Sequence, residues 1–444
     1  MLGSSRVELL ASVAVAIGAA NATAWGQCGP RWIHDPGLSS IPDGLLKSSF
    51  GAAEVWDPDG DGPQEPRIVA VVRGKLPDNT SVCRVYQWLD RQWNLLAALP
   101  GNFSVYDLAA TRDGRLFAGG LNGTSGTGQM RHLAQLVNGA WVEVGGGVSG
   151  VLTGFPTVFD IQPLTDGRVL VVGDFNTAGS TPASGAAIWD GEAWSPLGSG
   201  TNRLIRSAAQ LDNGDIIVGG DFLFAGGLPT GAVARWSNGS WSALATTNVP
   251  FNVSKVRALP GNQMLLGGPF SAIARVGPMG GIAKFDGATW STLGSGVSSS
   301  IRSGDVFMVT DLLATAGGDV IAVGNFVTQS YRFLARWDGT GWQAIGLGVS
   351  NAPTWLHNLP DGSVLVSGVS MVEGFAVHGI ARFTYAPCIA DWNSDCMLTF
   401  EDADAMIDAF AAGDPRADLN ADSQLTFDDI DAFVSTFEAG CSAS

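Results

Sequence analysis

Charge is scarce in this chain of 444 residues: only 15% are Asp, Glu, Lys or Arg. Basic residues are the scarcest, with 24 Lys and Arg against 41 Asp and Glu, a net of −17. Such a surface repels nucleic-acid backbones and anionic membranes, so neither is an expected partner. Four histidines (His34, His132, His357, His378) share no ligand spacing, which argues against a metal centre built from them. Five cysteines are too few for a disulfide-built scaffold and compatible with export. After the N-terminus no apolar run is long enough to cross a bilayer, so no membrane span is expected. Gly-x-Ser-x-Gly elbows and phosphate loops are also missing.

Glycine is abundant, at 60 residues without a triplet period, which predicts many tight turns between short strands. The start reads as an export signal over residues 1–24. Arg6 supplies a basic opening, Leu9 to Ala20 an apolar stretch, and Ala22-Thr23-Ala24 small residues before cleavage at Trp25. Glu8 is unusual there. Gln27 before Cys28 is not a lipobox residue, so no lipid anchor is expected at that cysteine.

Residues 25–386 carry one repeated unit. A turn precedes an apolar strand ending in Gly or Gly-Gly, a third strand ends near Asp-Gly or Asn-Gly, and a short strand opening with Trp closes the unit. The clearest copy runs from Asp212-Asn213-Gly214 through Ile216 to Phe222, then from Ala232 to Trp236, Asn238-Gly239 and Trp241. The closing tryptophans are Trp93, Trp141, Trp194, Trp241, Trp290 and Trp342. The apolar strand recurs near Ile68, Leu116, Val169, Ile216, Met264, Val320 and Val364. About four strands per unit is the content of one propeller blade, and the recurrence predicts seven blades. The seventh unit lacks its Trp strand, and Trp32 is left over at the other end. The ring is therefore expected to close with strands from both chain ends, which removes exposed edges. The tryptophans are expected to pack between blades.

These repeats resemble kelch-type propellers in Gly119-Gly120, Gly219-Gly220 and Gly267-Gly268, and in the spacing of Trp236 and Trp241. The Asp-Phe-x-x-Ala-Gly loops and Trp-Asp-Gly…Trp endings are similar to exported bacterial repeat proteins with dockerin-like tails. That resemblance implies an extracellular mainly β protein and no particular reaction. Copper-oxidase chemistry on a propeller would need more than the four tyrosines Tyr86, Tyr106, Tyr331 and Tyr385 with these scattered histidines. Sialidase-type Ser-x-Asp-x-Gly-x-Thr-Trp boxes are absent.

Residues 387–444 form a different, strongly acidic segment; from 391 onward 13 acidic side chains face one basic, Arg416. Two stretches align 27 residues apart. Asp391, Asn393, Asp395, Thr399 and Asp402 match Asp418, Asn420, Asp422, Thr426 and Asp429. Hard oxygens at positions 1, 3, 5, 9 and 12 suit a twelve-residue Ca²⁺ loop, with backbone carbonyls of Met397 and Gln424 at position 7. A helix is expected after each loop, presenting Ala403, Met406, Ile407 and Phe410, then Ile430, Phe433, Val434 and Phe437, with Gly413 and Gly440 as stops. An acidic helix pair with N-capping aspartates is the alternative. The duplication resembles type I dockerin, which implies a small helical domain, two Ca²⁺ sites and a cohesin-like or other extracellular partner. Cys396 and Ser423 stand where such loops need glycine, and Phe400-Glu401 and Phe427-Asp428 where dockerins carry cohesin-contacting Ser-Thr. Cys388 and Cys441 bracket the segment and are expected to pair; Cys28 with Cys83 is a further pairing, leaving Cys396 over.

Asp57-Pro58-Asp59-Gly60-Asp61-Gly62 also spaces three aspartates, but Ile68 stands at position 12, so a polar hairpin is the simpler reading. Together these features favour a secreted or cell-surface binding or scaffold protein without catalysis, its propeller facing a polysaccharide or protein. A dockerin-borne extracellular carbohydrate-active enzyme is the alternative.

Overall fold

The computed structural model describes most of residues 31–384 and, beyond them, Trp392, 400–414, 417–419 and 424–438. Residues 1–30 and short internal stretches, the longest being 298–307, lie outside the described residues, and with them the export signal and Cys28, Cys388, Cys396 and Cys441. Two compact units emerge, one of residues Trp32–Phe383 and one of the remaining ends.

The larger unit is mainly β. Among the described residues it holds seven four-stranded antiparallel sheets. Sheets 1 to 7 begin with the strands Leu46–Trp56, Phe103–Ala110, Thr157–Pro163, Ile205–Gln210, Lys255–Leu259, Met308–Ala314 and Trp355–Asn358. These first strands neighbour one another in a closed cycle, the last returning to the first. Repetition of sheets around an axis is the arrangement of a β-propeller. Sheet 7 takes its fourth strand from Arg31–Ile33, which lies against Phe375–Thr384. There Trp32 meets Phe383 edge to face, with ring centroids 5.3 Å apart.

Turn chemistry and packing follow the repeat. Asn138-Gly139 and Asn238-Gly239 have both residues at positive φ, the backbone of a type I′ hairpin. Each closing Trp stacks on an aromatic of the third strand where one is present, as Trp241 does on Trp236 at 5.2 Å. Four of the closing indoles also donate to the preceding unit: Trp93 to the Leu38 carbonyl, Trp194 to Gly145, Trp241 to Leu197 and Trp342 to Leu293, at 2.8 to 3.0 Å. The tryptophans thus lock neighbouring units, as the sequence predicts. The Gly-Gly pair has two separate causes. A Cβ on Gly219 would collide with Val253 and Val256 of the next sheet, and one on Gly220 with the Leu204 carbonyl of its own sheet. Cys83 is a free, fully buried thiol in the core, so the pairing with Cys28 is not made; burial pushes its pKa up to about 12.

The smaller unit contains the helices Phe400–Ala412 and Phe427–Glu438. Ala403, Met406, Ala417, Ile430 and Phe433 form its core, with Trp392, Phe410, Leu419, Leu425 and Val434 packed around them. Gly413, at φ 74°, ends the first helix with its N–H on the Phe410 carbonyl.

Candidate functional site: the central channel

The first strands share a local irregularity with a chemical consequence. In sheets 2, 3, 4 and 6 the pairing register slips at Tyr106, Phe159, Arg206 and Thr310, one residue before Asp107, Asp160, Ser207 and Asp311. A bulge re-aims the next side chain. Here it turns a polar group across to the following sheet. Asp107 accepts the Ile161 N–H (2.8 Å), Asp160 the Ala208 N–H (2.8 Å) and Asp311 the Leu356 N–H (3.0 Å). Ser207 accepts the Val256 N–H (3.2 Å) and donates to Asp160 (2.9 Å).

Ion pairs lie among these clasps. Lys255 approaches Asp160 at 3.5 Å, and His357 Nε2 meets Glu54 Oε1 at 2.8 Å. Arg257 is held by both oxygens of Asp311 (3.0 and 3.2 Å) and donates to the Leu312 carbonyl (2.8 Å). Asp311 is fully buried, so this pair has the hydrogen bonds that a buried charge requires.

Between these strands lies a cavity of about 530 Å³. Glu54, Asp107, Asp160, Lys255, Arg257 and His357 line it, with Gln162, Gln210 and Trp355. It reaches the turn Thr111–Asp113, whose Arg112 and Asp113 are exposed. Asp107 titrates well above the usual carboxylate range, first because burial penalises its charge and second because Asp160 repels it. His357 is raised: burial opposes its charge, but Glu54 outweighs burial.

The aspartates of the repeated Asp-Phe loops have another task. Asp174 accepts the N–H groups of Leu152, Thr153 and Gly154 at 2.7 to 3.0 Å, and Asp221 is in a double contact with Arg206. The neighbouring Phe175 and Phe222 are fully buried. Asp174 thus holds the loop 152–154, while Asp221 braces a first strand; Phe155, next to that loop, is 75% exposed.

In the acidic segment Asp391, Asn393, Asp395, Met397, Thr399, Asn420 and Asp422 lie outside the described residues, as does the side chain of Asp402. Asp418, Gln424, Thr426 and Asp429 are described. Asp429 is fully buried; its carboxylate accepts the Leu419 N–H (2.9 Å) and the Thr426 N–H (2.8 Å). Thr426 Oγ1 in turn accepts the Asp428 N–H (3.3 Å), so Thr426 and Asp429 form a capping box at the helix start. The candidate position-12 carboxylate therefore points back at the start of its loop. In the Asp57–Gly62 stretch, Asp57 accepts the Asp59 N–H and Asp59 the Gln64 N–H, the bonds of a polar turn, with Asp61 outside the described residues.

Sequence reading missed the channel belt. Its members stand about fifty residues apart and differ in type, from Asp to Ser to Lys. The usable signal is positional: each lies on the strand that precedes an apolar strand of the repeat.

No sequence family and no curated protein matches this chain. Solved structures align with this chain at a distance. A chain of the mitotic checkpoint complex is 15% identical, with 82% of this chain and 96% of that one covered and a TM-score of 0.44. The β-propeller domain of the Trilobed protease from Pyrococcus furiosus is 9% identical, covering 72% and 91%, at 0.39. The Hadza microbial sialidase Hz136 is 13% identical, covering 78% and 68%, at 0.37. The class defined by the sheets is that of β-propeller proteins; likenesses at this level transfer no activity.

Proposed function

We propose that this chain is an extracellular, non-catalytic binding protein built on a seven-bladed, kelch-like propeller closed by both chain ends. Its central channel and loops take a polysaccharide or protein. Its dockerin-like segment binds two Ca²⁺ and attaches the propeller to a cohesin-like or other extracellular protein. The observation that carries the reading is the cavity at the centre of the ring, with polar walls fixed by the bonds that join the strands. Binding sites are commonly concave, largely preformed and furnished with a few convergent polar groups.

A glycan array together with pull-downs from extracellular material, with and without calcium, tests it. The expected outcome is a propeller ligand lost when Gln162→Trp fills the channel. Calorimetric titration of Ca²⁺ into the whole protein tests the tail, with two binding events expected and both reduced in Asp418→Ala and Asp391→Ala. No heat at millimolar calcium removes attachment from the proposal.

The alternative is a dockerin-borne carbohydrate-active enzyme. It is favoured by one observation, the raised pKa of Asp107 beside Asp160 in a cavity, since a carboxyl group that keeps its proton can serve as a general acid. Turnover of any polysaccharide, lost in Asp107→Asn, would replace the binding reading with this one.

A further inference from the structure

We propose that the channel binds a small organic cation, with an ammonium group seated against the free oxygen of Asp107. The inference rests on reading the channel as a binding site, and deepens it by naming the ligand's chemistry.

Charge pairing in the channel is uneven. Four carboxylates and three bases belong to the channel and its wall. Glu54 is matched by His357, Asp160 by Lys255 and Asp311 by Arg257. Asp107 is the carboxylate left over. One of its oxygens accepts the Ile161 N–H; the other makes no hydrogen bond among the described residues, and the side chain is only half-buried because it faces the cavity. Exposed Arg112 and Asp113, the latter paired with Arg115, sit on the turn at the rim, where water screens them. The lumen therefore holds one negative charge in excess whenever Asp107 is ionised and His357 protonated.

A proton on Asp107 removes that excess, and so does a bound monocation. The two compete for one oxygen. Asp160 and Glu54 raise the proton affinity of Asp107, and Lys255 lowers it. Arg257 and His357 complete the set of charges facing it. Those same carboxylates favour an ammonium ion, whose three donors suit Asp107 together with the side-chain oxygen of Gln162. Trp355, Leu108, Leu164 and Pro163 also line the cavity and provide apolar contact for a carbon skeleton. A carboxylate on the ligand would meet Asp107, Asp160 and Glu54, so acidic ligands are disfavoured.

The test uses the whole protein and two probes of nearly equal shape, cyclohexylammonium chloride and cyclohexanol. An alkylammonium ion titrates near the lysine value, about 10.4, and keeps its charge throughout the neutral range. We expect the cation to bind at least about tenfold more tightly than the alcohol, a difference of about 1.4 kcal/mol. That preference should grow as pH rises and Asp107 gives up its proton. Calorimetry in two buffers of different ionisation heat should show proton release on binding at mildly acid pH. Asp107→Asn, checked for folding by circular dichroism, should lose the preference and the proton release together. Equal affinity for the two probes, or a preference that survives Asp107→Asn, overturns the assignment. A neutral glycan that binds and is lost in Gln162→Trp, with no preference for the ammonium probe, overturns it too, while keeping the binding reading.

Discussion

The ring is held in two ways. From sheet 2 to sheet 5 the inner strands are joined chiefly by oxygens accepting main-chain N–H groups, Asp107 to Ile161, Asp160 to Ala208 and Ser207 to Val256, with one longer ion pair, Lys255 to Asp160 at 3.5 Å. From sheet 5 round to sheet 1 the joints include paired charges, Arg257 with Asp311 and His357 with Glu54. A clasp onto a peptide group depends on one side chain and a backbone that cannot change. An ion pair depends on two side chains, and either can leave the other stranded. The second arc should therefore be more sensitive to substitution and to pH.

The largest effect is expected at Asp311. Its removal as Asp311→Ala strands Arg257 and the Leu356 N–H, at a cost of about 3–5 kcal/mol. Urea unfolding measures this, and a loss no greater than at Ser207 would erase the distinction between the arcs. Next comes Gly219→Ala, which drives a methyl group into Val253 and Val256 and costs about 1–3 kcal/mol by overpacking. Ser207→Ala removes a hydroxyl that both donates and accepts, for about 1–2 kcal/mol.

The smallest effects are those of pH, and they share a sign, because both folded pKa values are raised. His357 has a raised folded pKa, so its pair with Glu54 stabilises fully below the unfolded value of about 6.5 and is lost as pH rises through the folded value. His357→Gln should lower the melting temperature at mildly acid pH and converge with the unmodified protein at alkaline pH. Asp107 is also raised, so it too favours folding while protonated. Its contribution declines from the unfolded value of about 3.9 upward and is gone above the folded pKa. Asp107→Asn should therefore gain in relative stability as pH rises across that window. Melting curves of both variants over a pH series decide whether each contribution fades as pH rises, as two raised pKa values require.

Much of the β architecture was legible because its signals are local. Asn138-Gly139 and Asn238-Gly239 announce hairpins, Gly219-Gly220 a close approach, and the spaced tryptophans a repeat. Of the expected helical faces of the tail, Ala403, Met406, Ile430 and Phe433 pack into one core, and the side chain of Phe437 lies outside the described residues. The channel was not legible in the same way. Asp107, Asp160, Ser207 and Asp311 become equivalent only through bulges and strand register, which bring residues from distant repeats to one axis. His357 looked isolated because its partner, Glu54, lies about three hundred residues earlier in the chain, although the two sheets are neighbours in the ring. Asp174 and Asp221 show that equivalent positions of the repeat take different tasks: one accepts the N–H groups of a loop, the other pairs with Arg206 on the first strand of its sheet.

The strand at Trp32 has a consequence in time. It is synthesised before any part of sheet 7, and its partner around Phe383 follows roughly 350 residues later. At about 5–20 residues per second it waits on the order of tens of seconds on the ribosome. Doubling the length of such a loop adds only about 0.6 kcal/mol to the entropy of closing it. The pace of translation, more than the distance along the chain, thus decides when the circle can shut. Until it does, the outer edge of the last sheet has no neighbour. A ribosome stalled late in the seventh repeat would prolong that interval, when the unfinished chain is most open to a neighbouring copy.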